Sequence, residues 1–481
     1  MIDDPAHRRL VARLAALLTP AKVTDCAGGD PDARTARNPT GRSIGRPAAW
    51  VRPANVHELV AVVRAATHEG LPVVAVGEAS TYWDALRVDG AVTVDTRALR
   101  DPPPETSVDV ARRTARVGAG VTVRELDRVA RSHGLSLEAR PDNGGDSSLG
   151  SLVAIGCAAG LGMGRALPIE LVTGATVVTG DAQALALGAS HALAGRAYMR
   201  HGLPDLLGLF TAAEGRGAIV ADVSVRLVPA AFEATAHLRG PRTTGVSREL
   251  LRAFLRASRE TLDGGGIDTL RFEAMASGST PEVDHTMTLR TYDPARSERA
   301  LERARAITER FCAAGFTLVS LDAATEACRR GLGPDYDAHG FMPEGHHRAS
   351  LSGGGAFWGA DVMTSWGDEL DASIDTLTSL FARSSALDPR ERRLGLYPGH
   401  HALSVGFQAL GDPDPRRVEE LRALILVELP GLLRAGAVPY RPGHLWREAL
   451  AQHLAERGES ATAAALGAAL APFDPRSLLG R

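Results

Sequence analysis

Leu71-Pro72-Val73-Val74-Ala75-Val76-Gly77-Glu78-Ala79-Ser80-Thr81-Tyr82-Trp83-Asp84 is the stretch on which the reading of the fold turns. The apolar run up to Val76 reads as a buried strand, and the segment after it falls where a strand end delivers a ligand loop. A loop that holds a pyrophosphate needs glycines, so that backbone N–H groups close on the anion, and it gains nothing from carboxylates. This one keeps Gly77 alone and adds Glu78 and Asp84.

The surroundings supply the strand–helix–strand context. Ala48 to Arg52 is strand-like and Pro53 breaks it; Asn55-Val56-His57-Glu58 then has the form of a capping box opening a helix with Leu59, Val62, Val63 and Ala66 on its apolar face. Val92 to Asp95 is a further strand. Ala115 to Gly120 leads into a second capping box, Thr122-Val123-Arg124-Glu125, and a helix ending at His133-Gly134. The small-residue stretch Pro141 to Ser151 and the four glycines from Gly156 to Gly164 mark places where backbone approaches something closely. Ile169 to Val178 and Ala218 to Val228 read as strands. From about 231 to 430, strands such as Thr286 to Thr291 alternate with helices such as Arg296 to Ala314.

Composition is that of a globular protein of 481 residues, 44% hydrophobic and 23% charged, with room for two or three cores. A formal net charge of -3 gives no broad basic field, so nucleic acid and anionic membrane are not expected partners. Lys22 is the sole lysine. The cysteines Cys26, Cys157, Cys312 and Cys328 lack metal or disulfide spacing, and no signal or bilayer-spanning stretch is evident, which together predict a cytoplasmic protein. His346-His347 and His400-His401 are adjacent pairs that present at most one ligand each to a shared face, so no metal is expected.

The order of these pieces resembles the vanillyl-alcohol oxidase and para-cresol methylhydroxylase family of flavoproteins over nearly the whole chain. Val51-Arg52-Pro53-Ala54-Asn55, Val117-Gly118-Ala119-Gly120-Val121-Thr122, Arg200 to Phe210 with Glu214-Gly215, and Val225-Arg226-Leu227-Val228-Pro229 carry the likeness. It implies an α+β protein: an N-terminal helix and extension over 1–47, a two-subdomain PCMH-type FAD-binding domain over 48–230, an α+β substrate or cap domain over 231–430, and a helical segment over 431–481 that returns to the first domain. It also implies that Gly77, Gly144, Gly145, Ser147 and Gly150 hold FAD if flavin is bound. Tyr82 falls where the family's phosphate loop carries a tyrosine. Tyr440-Arg441 looks like the tyrosine-arginine pair that polarises a phenolate, so Tyr82, Tyr440 and Arg441 are the expected catalytic residues. A guanidinium stays charged and holds an enolate, phenolate or carboxylate through two hydrogen bonds.

The departures point elsewhere. The family's Arg-Gly-Lys-Asn start and the glycines flanking its tyrosine are replaced by Val76-Gly77-Glu78-Ala79, Thr81 and Trp83, and its Gly-Gly-Gly-Ser appears as Gly144-Gly145-Asp146-Ser147. A carboxylate about 4 Å from a phosphate charge costs on the order of a few kcal/mol at a partly buried site. Ala154 stands where the family has an acidic residue beside the flavin, and Ala218-Ile219-Val220-Ala221 replaces its Gly-Ile-Val-Thr. These changes predict no bound cofactor and a repurposed fold: a non-redox tailoring cyclase, of Diels-Alder type, acting on a large apolar small molecule in specialised metabolism. A FAD-dependent oxidoreductase acting on a phenol or alcohol is the first alternative. A non-catalytic binding protein is the second.

Overall fold

The computed structural model of the protein describes residues 5–26, 40, 45–79, 88–137, 147–156, 168–196, 198–263, 269–293, 295–323, 356–440 and 443–480. Two main sheets build the first unit, beside a two-stranded pairing of Leu135–Ser136 with Val228–Pro229. One has four strands in the order Val23–Asp25, Ala49–Val51, Val92–Asp95, Val73–Val76, the last three parallel. Its connections run through the helix Val56–His68, which buries Leu59, Val62, Val63, Ala65 and Ala66 against the sheet side of the core. The other is a five-stranded antiparallel sheet, Val108–Asp109, Thr114–Gly118, Ala218–Arg226, Val172–Thr179, Ala184–Leu187. One continuous apolar core runs between them, from Leu10 to Leu227.

Local chemistry explains the element ends. The Thr122/Glu125 capping box is complete: each side chain bonds the other's backbone N–H. At Asn55 only half of the expected box forms. Asn55 accepts from the Glu58 N–H, but the Glu58 carboxylate turns to the Ala54 N–H at 2.7 Å and to the Lys22 ammonium, a charge-assisted partner that a backbone amide does not match. The strand expected from Leu71 begins at Val73, since Pro72 has no N–H to offer the ladder. The strand expected over Ile169 to Val178 runs from Val172 to Thr179, after a 3₁₀ turn.

The second unit is an antiparallel sheet of nine strands among the described residues. Its main path is Thr317–Ala323, Phe232–Arg239, Glu282–Asp293, Thr269–Ala276, Glu391–Pro398, Leu403–Gly411, Ala356–Thr364, Val438–Pro439. Alternation along its strands gives it two unlike faces. Leu270, Phe272, Ala274, Leu394, Leu396, Val405 and Phe407 form an apolar face on which the helices Arg248–Asp263, Ser297–Ala313, Asp368–Arg383 and Pro415–Leu426 pack. The residues between them, Arg271, Glu273, Arg393, Gly395, Gly406 and Gln408, form a polar face turned away from those helices.

The end of the chain returns to the first unit. Leu478 O accepts from Val73 N, Phe473 O accepts from Gly180 N, and Leu479 sits in the first core. Asp474 takes the N–H groups of Leu478 and Leu479 on its two carboxylate oxygens, which fixes the tail in place. Among the described residues no helix is long and apolar enough to cross a membrane.

Candidate functional site

The strand Val73–Val76 delivers Gly77 onto the start of the helix Leu149–Ile155. A Cβ built on Gly77 would lie 2.5 Å from Ser151 Oγ and 3.2 Å from Ser148 Oγ, so any side chain here would push the Ser151 hydroxyl aside. Ser148 is the N-cap: its Oγ accepts from the Ser151 N–H and lies 2.8 Å from Ser151 Oγ. Thr96 adds a third hydroxyl, donated to Val76 O at 3.1 Å. Two stretches expected to face each other across a cofactor, Gly77 and the residues following the Gly144-Gly145 element, therefore meet in the fold. Gly144, Gly145 and Asp146 themselves, and Thr81, Tyr82, Trp83 and Asp84, lie outside the described residues.

After Gly77 the chain turns through Glu78 to Ala79, whose φ is 53°. That is the left-handed region, which costs an L-residue roughly 1–2 kcal/mol relative to right-handed backbone. Ala79, which matches the Asn of the family's Arg-Gly-Lys-Asn start, thus takes a conformation more usual for glycine or asparagine. Glu78 is half-buried.

The other glycines serve close packing of the two sheets. Gly120 would place a Cβ 2.3 Å from Thr96 O and Gly118 one 2.4 Å from Leu99 O. Gly150 donates its N–H to Ala119 O, and a Cβ there would lie 2.7 Å from Ala119 Cβ. Ser147, expected to touch cofactor, uses its carbonyl to accept from the Val123 N–H. Ala119 N donates in turn to Ala221 O, which ties this helix start to the Ala218–Arg226 strand. Next to Val76 in register is Asp95. Burial raises its carboxyl, but the Arg97 guanidinium and backbone N–H together with Trp50 Nε1 more than offset this and hold it below the usual carboxylate range.

The far end of the same helix meets Glu214. The Glu214 N–H donates to Ala154 O at 2.8 Å, and its carboxylate accepts from the Gly443 N–H at 2.6 Å and faces Arg447 at 3.5 Å. Ala154 is half-buried, at the position where the sequence lacks the family's acidic residue. Gly443 follows the edge strand Val438–Pro439 of the second sheet. Tyr440 donates its N–H to Asp361 O and packs against Phe357 and Leu410. Arg441 lies outside the described residues, so the fold places Tyr440 of the expected catalytic trio, at the sheet edge beside Asp361.

The polar face of that sheet was not anticipated. Arg271, Arg290 and Arg393 are 1%, 1% and 2% exposed, and Glu273, Asp361 and Gln408 are buried beside them. Glu273 contacts both the Arg271 and Arg393 guanidinium groups. Gln408 Nε2 donates to both Asp361 oxygens at 3.3 Å, and Arg271 lies 5.4 Å from the centre of the Tyr397 ring. The signal was present in Thr269-Leu-Arg271-Phe-Glu273, where charges alternate with large apolar residues at a period of two. His400 and His401 sit exposed in the hairpin turn between Glu391–Pro398 and Leu403–Gly411; among the described residues no group of three or more His, Cys, Asp or Glu is placed to hold a metal.

Comparison with known proteins agrees with this geometry. Residues 47–188 match the family model described as FAD binding domain. A segment of 180 residues is 25% identical to a D-lactate dehydrogenase of Archaeoglobus fulgidus, covering 37% of this chain and 38% of that protein. The chain spans well under half the length of this curated relative. Among solved structures, p-cresol methylhydroxylase with substrate bound superposes with a TM-score of 0.77 at 14% identity, covering 99% of this chain and 96% of that one. 4-Ethylphenol oxidase from Gulosibacter chungangensis, in complex with isoeugenol, gives 0.72 at 12% identity over 99% and 96%. An alkyldihydroxyacetonephosphate synthase gives 0.68 at 12% identity over 98% and 84%. The fold is the mixed α and β, two-subdomain FAD-binding fold of the p-cresol methylhydroxylase type. Its first unit carries a FAD-binding domain.

Proposed function

We propose that the protein is a FAD-dependent oxidoreductase acting on a small organic substrate. The observation that carries this reading is the approach of Gly77 to the capped helix start at Ser148 and Ser151, with Ala79 held in the left-handed conformation just beyond it. Left-handed backbone at a non-glycine residue costs of order 1–3 kcal/mol and persists where its surroundings hold it. The FAD-binding domain match over 47–188 and the redox names of the similar proteins support it further. Gly77, Glu78 and Ala79 would hold the pyrophosphate through backbone N–H groups, with the Ser148 and Ser151 hydroxyls beside them. FAD supplies a hydride acceptor. The chain's own part is to orient the substrate from the second sheet, with Tyr440 at its edge.

The flavin-free cyclase remains a second reading because of one residue: half-buried Glu78, which directly follows the single loop glycine and opposes a phosphate charge. Flavin content separates the two. Protein purified without added cofactor is denatured and the released flavin quantified: a near-stoichiometric amount supports the oxidoreductase. Protein that is colourless and gains no thermal stability from added FAD supports the cyclase.

A further inference from the structure

We propose that the outer edge of the strand Ala184–Leu187, with the apolar surface between Leu193 and Leu206 beside it, is the contact through which two copies of this chain pair about a two-fold axis. The inference goes beyond the oxidoreductase reading and does not depend on it.

The edge is unguarded. Ala184–Leu187 ends the five-stranded sheet, and among the described residues it pairs with Val172–Thr179 alone. Thr179 N donates to Gln183 O across the turn, so by alternation Leu185 and Leu187 bond to the neighbouring strand, while the N–H and C=O groups of Ala184 and Ala186 point outwards. Both alanines are exposed. Other sheet edges in this molecule carry the usual protection. Val108–Asp109 is short and charged, and Val438–Pro439 is short and ends in proline. Thr317–Ala323 has a register shift and Asp322, and Val73–Val76 is covered by Leu478 and Leu479 of the tail. Gln183-Ala184-Leu185-Ala186-Leu187 has no charge, no proline and no register shift.

The surface next to this edge is apolar. Of the twelve exposed large hydrophobic side chains among the described residues, five lie between 193 and 206: Leu193, Tyr198, Met199, Leu203 and Leu206. Such clustering marks an interaction surface, which single exposed leucines do not. The chain draws these residues together. Ala189 N and Ser190 N donate to Arg200 O and Met199 O at 3.0 Å, which sets Met199 against the end of the edge strand. A Cβ built on Gly202 would lie 3.5 Å from Ala189 Cβ, so Leu203 follows alongside.

The charges favour a second copy as the occupant. Arg200 is paired with Asp205 of its own chain, so this pair at the patch adds no net field towards a polyanion. Charges of opposite sign stand at the two ends of the edge: exposed Asp181 in the turn before the strand, and exposed Arg196 just after the helix Ala189–Ala194 that follows it. Identical edge strands pair antiparallel about a two-fold axis, an arrangement in which one surface complements itself. With Ala184 of one copy opposite Ala186 of the other, the outward N–H and C=O groups of both are paired. Asp181 of each copy then meets the end at which the other carries Arg196.

Sedimentation equilibrium of the full-length protein tests this, and the expected result is the mass of two chains at micromolar concentration. Ala186→Lys puts a charge on the seam and Leu193→Asp one in the patch; each is expected to weaken association by about tenfold or more. Circular dichroism and melting temperature report whether each variant is folded. Arg196→Glu and Asp181→Arg are each expected to weaken the pair, and the double variant to restore it, because the two residues meet between copies. No recovery in the double variant overturns the two-fold pairing. A dimer unchanged in both Ala186→Lys and Leu193→Asp overturns the proposal by placing the contact elsewhere. A monomeric wild type overturns it too, and one that floats with vesicles of phosphatidylcholine and phosphatidylglycerol assigns the patch to a lipid surface instead.

Discussion

Glu214 accepts a hydrogen bond from the Gly443 N–H at 2.6 Å, across 229 residues of sequence, and so joins the FAD-binding unit to the first turn of the helix Gly443–Glu456. The same carboxylate meets Arg447 at 3.5 Å while its backbone N–H holds Ala154 O. One residue thus links the helix that starts at the candidate phosphate loop with the chain leaving the second sheet.

Glu214→Ala is expected to remove an interaction of about 1–3 kcal/mol and to loosen this junction selectively. Hydrogen exchange by mass spectrometry is the check. Faster exchange over residues 443–447 with unchanged protection in the strand Ala218–Arg226 is predicted, and uniform loosening of both units would argue against a local latch.

Gly77→Ala places a methyl group 2.5 Å from Ser151 Oγ. A loss of about 1–3 kcal/mol in stability is expected from the overpacking. Ser151→Ala clears the space, so the double variant should recover most of that loss. Urea melts of both single variants and the pair give the coupling; simple additivity would remove the contact from the argument.

Ala79 has a φ of 53°, and its strain is a prediction about side-chain shape. Ala79→Gly is expected to be neutral or stabilising by up to about 1 kcal/mol, because relief of strain is partly offset by the greater freedom of unfolded glycine. Ala79→Val should be destabilising and should weaken flavin retention, since a β-branched residue tolerates this backbone least. Denaturant midpoints and the flavin-to-protein ratio report both.

His285 is buried; its Nε2 accepts from the Ser247 N–H at 3.1 Å, which leaves Nδ1 to donate to Pro241 O at 2.9 Å. Burial holds its pKa below the ordinary 6.5, and the Pro241 contact and Asp284 only partly oppose that. His191 is depressed as well, by burial and then by Arg116. The unfolded chain therefore takes up protons near pH 6.5 that the folded protein refuses, so the neutral imidazoles stabilise above that pH and the benefit fades as pH falls below it. Melting temperature should drop from pH 7 towards pH 5, and the drop should be shallower in His285→Gln. An unchanged slope in that variant would exclude His285 as a source.

Much of the scaffold was legible because it rests on local rules. The Thr122/Glu125 box, the Val92–Asp95 strand and the helix Ser297–Ala313 follow from capping and periodicity. The site was less so. Ala79's backbone conformation is invisible in its residue type, and so is the close contact of Gly150 with Ala119. The Arg271–Glu273–Arg393 cluster is assembled from strands more than a hundred residues apart in sequence, and only the register brings it together. Three carboxylates near the loop are expected from sequence to oppose a phosphate; Asp84 and Asp146 lie outside the described residues, and Glu78 is half-buried directly after Gly77.

The most direct measurement is the visible absorption spectrum of the purified protein, taken before and after adding FAD and removing the excess. A flavin band present in near-stoichiometric amount is the predicted result. A colourless protein that neither takes up FAD nor gains stability from it would contradict the account.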